Sequence, residues 1–358
     1  MGRPVLSEDI KNKISKLVDI DFVKQVLNKH LPQHYPNFKE ITNLKLYTYK
    51  KHLGLTSAVF VVEYKIDYID KRGESRRLYV FASAHSDGSR WGAYQNNLAL
   101  YNNGGFSNGS FRVTRPLFFL SEQQAFFYQS SPGKSLFDWF TKNPQADLNP
   151  VLLVSAGWIK KLHGLDKQLG NINWPMFKIA NMVPAPNDFV ADFIKADAEQ
   201  GQSVKAMLGQ LNDLEAKLSD PVAKSLIYGD YHPENIVIRD LNTDKIEMID
   251  FTDVAYGDPM VDLGAFLEQF DFMMHRLLPR PKINEYETFF LEAYFGKKFA
   301  DIDQTLINRI NLYQAWTALR IAVFLFYAKS VHINELLGEV EEYLKAIHDN
   351  RPIINLYN

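Results

Sequence analysis

From Glu8 to Leu31 apolar residues return at helical spacing, first Ile10, Ile14, Leu17 and Val18, then Phe22, Val23, Val26 and Leu27. The period predicts one amphipathic helix at the start of the chain. The pattern then shortens to two. Leu44 to Tyr49 alternates apolar and polar residues, and Thr56 to Tyr68 places Ala58, Phe60, Val62, Tyr64 and Ile66 on one face, so both read as strands. Arg77 to Ala84 continues the series, a helix is expected over Trp91 to Tyr101, and Phe118 to Leu120 and Ala125 to Gln129 read as two more strands. After the Ser-Pro-Gly turn at 131–133 the period of 3.6 returns: Val151 to His163, Asp188 to Leu218, Phe266 to Phe295 and Ile307 to Ser330 all read as helical, and Lys167 to Pro186 as an irregular insertion. The order is strands first and helices after, an α+β organisation.

Composition narrows the picture. At 358 residues, 46% apolar and 13% aromatic, the chain can bury a large core and is long enough for two lobes. A net charge of −2 argues against a protein whose main work is binding a phosphate backbone, so no nucleic-acid partner is expected. There is no cysteine, which removes disulfides, thiolate zinc sites and cysteine nucleophiles. With no apolar leader and no run of roughly 18–20 apolar residues, a soluble cytoplasmic protein without membrane contact is the expectation.

One interruption of the second half carries chemistry. Leu226 to Asp262 reads LIYGDYHPENIVIRDLNTDKIEMIDFTDVAYGDPMVD. Gly229 and Pro233 forbid a helix, Ile236-Val237-Ile238 favours a strand, and a turn at Leu241 to Asp244 leads into Ile246 to Ile249, which delivers Asp250 at its end. The pattern places Asp230, Asn235 and Asp250 on loops at strand ends. A carboxylate at a loop apex can orient a hydroxyl and take its proton. An amide oxygen and a second carboxylate are hard donors of the kind Mg²⁺ prefers beside substrate phosphates. Phosphoryl transfer asks chiefly for positioning and charge neutralisation, so this set suits it. Asp258 and Asp262 read as braces that cap the following helix. His232 either joins the chemistry or hydrogen-bonds the loop backbone.

The series Gly229-Asp230-x-His232-x-x-Asn235, then Ile249-Asp250-Phe251, then Gly257-Asp258-Pro259-x-x-Asp262-Leu263 resembles the aminoglycoside phosphotransferase and choline kinase family. The resemblance implies a protein-kinase-like fold in two lobes: an antiparallel-sheet N-terminal nucleotide lobe over residues 1–130 and a mainly helical catalytic and acceptor lobe over 131–358. It makes Asp230 the catalytic base, Asn235 and Asp250 the Mg²⁺ ligands, and His232, Asp258 and Asp262 the support of the site. ATP or GTP would be the phosphoryl donor, and the hydroxyl of an aminoglycoside-, amino alcohol- or sugar-like molecule the acceptor. Tyr228 departs from the His common in the family.

A larger departure lies in the first half. The family's nucleotide lysine belongs on the strand Arg77 to Ala84, where Ala82 or Ser83 stands instead, and the helix from Trp91 to Tyr101 has no acidic residue to pair with it. The missing charges match, since a buried Glu without its Lys is costly. A relocated cation can come from Lys50 or Lys51, which flank a hairpin containing Gly54, or from Lys65 on the adjoining strand. By order in the chain, Tyr128, Gln129 and Ser130 would face the nucleotide base. The rival expectation is a kinase-fold protein of weak or no catalysis with a binding role. For an amine-bearing acceptor, Glu268, Asp271 and Glu292 offer charge, and Phe272, Tyr313 and Trp316 an aromatic wall. The expected assembly is a monomer or homodimer.

Overall fold

The computed structural model describes residues 5–129, 133–181, 185–218 and 224–351. The chain divides into two compact units. The first comprises Met1–Gly133 with Leu169–Ile172 and Glu247–Thr252, the second Lys134–Gln168, Asn173–Ile246 and Asp253–Asn358. Asp250 thus belongs with the first unit, while Asp230 and Asn235 belong to the second.

In the first unit α1 (Glu8–Ser15) and α2 (Ile20–His34) stand where one helix was expected. Asp19 is the reason. Its backbone is extended and its carboxylate accepts from the N–H groups of Asp21 and Phe22, so it caps a new helix. Long strands follow: β1 (Phe38–Leu53), β2 (Ala58–Asp70) and β3 (Ser75–His85). After α3 (Ser89–Asn103) and the short β4 (Phe111–Val113) come β5 (Arg115–Leu120) and β6 (Ala125–Gln129). They form an antiparallel sheet in the order β1-β2-β3-β6-β5.

The two-residue period sorts the sheet's faces. Phe60, Val62, Tyr64 and Ile66 of β2, and Val80 and Ala82 of β3, are fully buried in a core shared with Leu17, Leu27 and Leu31 from the leading helices. α3 packs on the opposite face, where Tyr94 meets Phe119 and Phe126.

The second unit begins with β7 (Lys134–Ser135) and is otherwise mainly helical: α4 (Leu136–Lys142), α5 (Asn149–His163), α6 (Pro186–Ala196) and α7 (Ala198–Leu218). β8 (Ser225–Ile227), β9 (Ile236–Ile238) and β11 (Ala255–Gly257) are three-residue strands, as is β10 (Ile246–Met248), whose last two residues belong to the first unit; α8 (Met260–Met274), α9 (Arg280–Phe295), α10 (Gln304–Tyr327) and α11 (Ile333–His348) follow. The helix expected over Asp188 to Leu218 is two helices. Again an aspartate breaks it, since Asp197 is extended and accepts from the N–H groups of Glu199 and Gln200. β8 pairs with β11 and β7 with β9, both antiparallel. Together the antiparallel sheet and the helical second unit make the fold α+β.

At the crossing of α8 and α10 a Cβ on Gly264 would lie 2.7 Å from the Tyr313 Cβ and 2.8 Å from both Gln314 N and Ile310 O. Gly264→Ala should therefore overpack two helix backbones and cost about 1–3 kcal/mol, read as a lower urea midpoint. Gly338→Ala on α11, where a Cβ meets nothing within 4 Å, should instead gain about 0.5–1 kcal/mol from helix propensity.

Candidate active site

The loop after β8 is held from below. Tyr228 and Tyr231 are fully buried, so the chain is pinned on both sides of Asp230. Tyr231 stacks on Trp158 of α5 at 6.0 Å and donates its hydroxyl to Ser155 O at 2.8 Å, and Tyr228 meets Trp158 edge-on. The aromatic at position 228 is thus a packing residue. Gly229 has φ +84°, and a Cβ there would lie 2.3 Å from Asp253 O, so only glycine fits. The N–H groups of Tyr228 and Gly229 each donate to Asp262 of α8 at 2.7 Å. Asp262 is itself fully buried and lies 2.9 Å from His163 Nε2.

Asp258 belongs to the same brace. It accepts from Met260 N at 2.9 Å at the start of α8 and takes both forks of the Arg309 guanidinium from α10.

Between its buried neighbours Asp230 turns outward, with a side chain 31% exposed. His232 Nε2 lies 3.4 Å from its carboxylate, Gln269 Nε2 donates at 3.3 Å and an Arg320 guanidinium nitrogen lies at 3.6 Å. Burial by itself pushes this carboxyl up. The hydrogen bond and charge of His232, the charge of Arg320 and the Gln269 hydrogen bond outweigh it and hold the group at about 2, hence ionised at neutral pH. Asn235 donates its Nδ2 to Asp230 O at 3.0 Å, which turns Oδ1 the other way. His232 also receives Glu234 N–H on Nδ1 and sits 2.9 Å from Asn235 Nδ2, so it links all parts of the loop.

Asp250 sits within the first unit. Its φ of +55° is left-handed, a conformation that Asp tolerates better than most residues and that collects at functional positions. α3 holds this segment: Asn96 donates to Phe251 O at 2.9 Å, and Arg90 donates to Asp250 Oδ1 at 3.0 Å and to Thr252 Oγ1 at 2.5 Å. The Asp250 side chain is 43% exposed. An oxygen on Asn235 and a left-handed, open carboxylate on Asp250 are hard donors that fit Mg²⁺.

Arg90 is the residue that sequence reasoning missed. The helix begins at Ser89, ahead of the expected Trp91, and the charge it carries is the cation Arg90. On β3 the alternation assigns Ala82 to the buried core and Ser83 to the α3 face, so Ser83 marks the place without its lysine. Cross-strand partners show where the three lysines stand. Lys50 pairs with Val61 and Val61 with Ser83, one row across the same face. Lys51 lies over the Phe60 ring on the other face. Lys65 is opposite Tyr79, four residues and so about 13 Å further along. Burial lowers the His85 imidazole, Asp87 pulls it the other way, and the charges of Arg90 and Lys50 lower it further, so both cations lie near it.

Gly54 closes an ordinary turn to Ser57 O, Gln129 accepts from the Tyr35 hydroxyl, and Tyr128 stacks on Phe81. Ser130 lies outside the described residues.

Of the acids expected to draw an amine, Glu268 and Asp271 are buried in the second unit, and Glu292 is part-exposed but paired. Glu268 is 1% exposed and accepts from the Tyr343 hydroxyl, Asp271 pairs with Arg280, and Glu292 holds Lys298 and Phe299 N–H. Burial, with neighbouring acids adding to it, pushes Glu268 and Glu287 well above the usual carboxyl range. For Glu339, burial and the Asp271 charge raise it to about 7.

Comparison with known proteins places the chain. The model of the phosphotransferase enzyme family matches residues 118–297. Among solved structures, the fold is similar to the amicoumacin kinase hAmiN in complex with AMP-PNP, Ca²⁺ and Ami, with 13% identity, 99% of this chain and 100% of that chain covered, and a TM-score of 0.57. A Plasmodium vivax ethanolamine kinase is similar at 14% identity, 97% and 96% coverage and a TM-score of 0.57. The GDP complex of aminoglycoside 2'-phosphotransferase-IIIa is similar at 15%, 90% and 98%, and 0.52. No curated protein sequence matches significantly.

Two outcomes follow from the buried carboxylates. Asp262→Asn removes one of two acceptors for buried N–H groups and should cost about 1–3 kcal/mol by urea unfolding. Glu339 is protonated more readily folded than unfolded, so its contribution is full below about pH 4.5 and is lost as pH rises through about 7. The stability of Glu339→Gln relative to the natural chain should therefore rise across that window, which chemical denaturation at fixed pH steps measures.

Proposed function

Since the chain belongs to the phosphotransferase enzyme family, we propose that it moves the γ-phosphoryl group of ATP or GTP onto a hydroxyl of a small molecule. The observation that carries this is the loop itself: an ionised, partly exposed Asp230 held between two buried tyrosines, with the Asn235 amide nitrogen tied back to its carbonyl. Asp230 accepts a hydrogen bond from the acceptor hydroxyl and takes its proton as that oxygen bonds to phosphorus. The bond from phosphorus to the bridging oxygen breaks and the nucleoside diphosphate leaves. Asn235 and Asp250 would each offer an oxygen to Mg²⁺, which when bound would neutralise charge on the phosphates. Among the described residues no group of three or more His, Asp or Glu is placed to hold a metal.

The nucleotide stands on the α3 face of the first unit. Tyr128 and the backbone around Gln129 border it, with Lys50 and Arg90 as the cations of that face. No helix among the described residues is long and apolar enough to cross a membrane.

A second reading has its own observation: Asp250 is engaged by Arg90 and Thr252, and no lysine stands at Ser83. On that reading the fold binds little Mg-nucleotide. Calorimetry with Mg-ATP and Mg-GTP separates the two, micromolar to low-millimolar binding supporting the kinase and none supporting the rival. In a phosphorylation assay Asp230→Asn should lower kcat by about 10²–10⁴-fold while nucleotide binding persists. Asp250→Asn should instead weaken Mg-nucleotide binding. A kcat unchanged in Asp230→Asn would remove Asp230 from the chemistry.

A further inference from the structure

The permanently charged side chain beside Asp230 is Arg320, with a guanidinium nitrogen 3.6 Å from its carboxylate. Arg320 projects from α10 one turn beyond Trp316, and its guanidinium carbon lies 4.7 Å from the centroid of that indole. Trp316 is 3% exposed, with Phe177 set edge-on against it at 5.1 Å, and Tyr313 is 1% exposed. The protein's own guanidinium therefore takes the place over the ring that a cationic ligand would need. The acids that would draw an amine are equally unavailable, Glu268 beneath Tyr343 and Asp271 in its pair with Arg280. An amine brought to Asp230 would meet a like charge.

An anion would meet a partner. The Arg320 side chain is 24% exposed beside a partly exposed Asp230, and its contact with that carboxylate, at 3.6 Å, is longer than a good hydrogen bond. A guanidinium carries five N–H donors in a planar fork, so most of them stay available for a carboxylate or phosphate oxygen. We infer that the acceptor bears an anionic group, a carboxylate or a phosphate, close to the hydroxyl that is phosphorylated, and that Arg320 receives it. This rests on the kinase reading of Asp230. With hydrogen bonds of ordinary length at both ends of the Asp230–Arg320 pair, hydroxyl and anion are separated by about 3–9 Å. The anionic group keeps its bonds during transfer. Its charge would otherwise oppose approach to the triphosphate, and Arg320 offsets that repulsion.

The test compares acceptors matched in size: glycerate, 3-hydroxybutyrate and glycerol 3-phosphate against propanediol, ethanolamine and choline. It uses the natural chain, Arg320→Gln and Arg320→Lys, with folding checked by thermal unfolding. Turnover is measured with Mg-ATP, and binding of 3-hydroxybutyrate and glycerol 3-phosphate to the nucleoside-diphosphate-loaded protein by calorimetry. The expected result is at least tenfold higher kcat/KM for anionic acceptors than for neutral ones. Arg320→Gln should raise KM and Kd tenfold or more for the anionic compounds only, and Arg320→Lys should restore part of the loss. Better turnover of ethanolamine or choline overturns the inference alone. So does equal binding of the anions by the natural chain and Arg320→Gln, or an Arg320→Gln defect in kcat that is the same for every acceptor. Absence of both nucleotide binding and transfer overturns the kinase reading and the inference together.

Discussion

The second unit turns on one buried carboxylate. Asp262 accepts two backbone N–H groups, from Tyr228 and Gly229, and lies against His163 while fully removed from water. An unpaired buried carboxylate would be very costly, and two unpaired N–H groups only somewhat less so, so each half of the arrangement enforces the other. The result is a loop whose path is set before any ligand arrives. Asp258, joined to Arg309 and to the first turn of α8, fixes the helix that carries Asp262. Preorganisation of this kind matters for phosphoryl transfer, where positioning and charge are most of the catalysis.

Both outward-facing carboxylates of the candidate site carry a counter-charge from a helix within their own unit. Arg90 serves Asp250 and Arg320 serves Asp230, at 3.0 and 3.6 Å. Neither arginine stands where a lysine–glutamate pair was sought. The pair is absent at Ser83, and α3 brings its cation to Asp250 instead. Meanwhile Glu268 and Glu287 of the second unit lie inside, where burial holds them toward the neutral form.

Some of this was legible from local pattern. The five alternating apolar residues of β2 are all buried, and the spacing of Gly229, Asp230, Asn235 and Asp262 predicted a braced loop. Helix continuity was misread twice for one reason. Asp19 and Asp197 lie inside otherwise periodic stretches, and periodicity does not register that an aspartate can turn its carboxylate onto the following N–H groups and start a second helix.

The sequence alone determined the family and the order of the loop, because Gly229, Asp230, Asn235, Asp250 and Asp262 at fixed spacing are properties of local chain order. Only the tertiary structure decided which charges attend them. Arg90 and Asp250 are 160 residues apart, and Arg320 and Asp230 are 90 apart in numbering, and no local period connects such pairs. It also decided that Glu268 and Asp271 face inward, since burial and pairing with Tyr343 and Arg280 depend on how α8, α9 and α11 pack. Short-range order specified the loop, and long-range packing set the electrostatics around it.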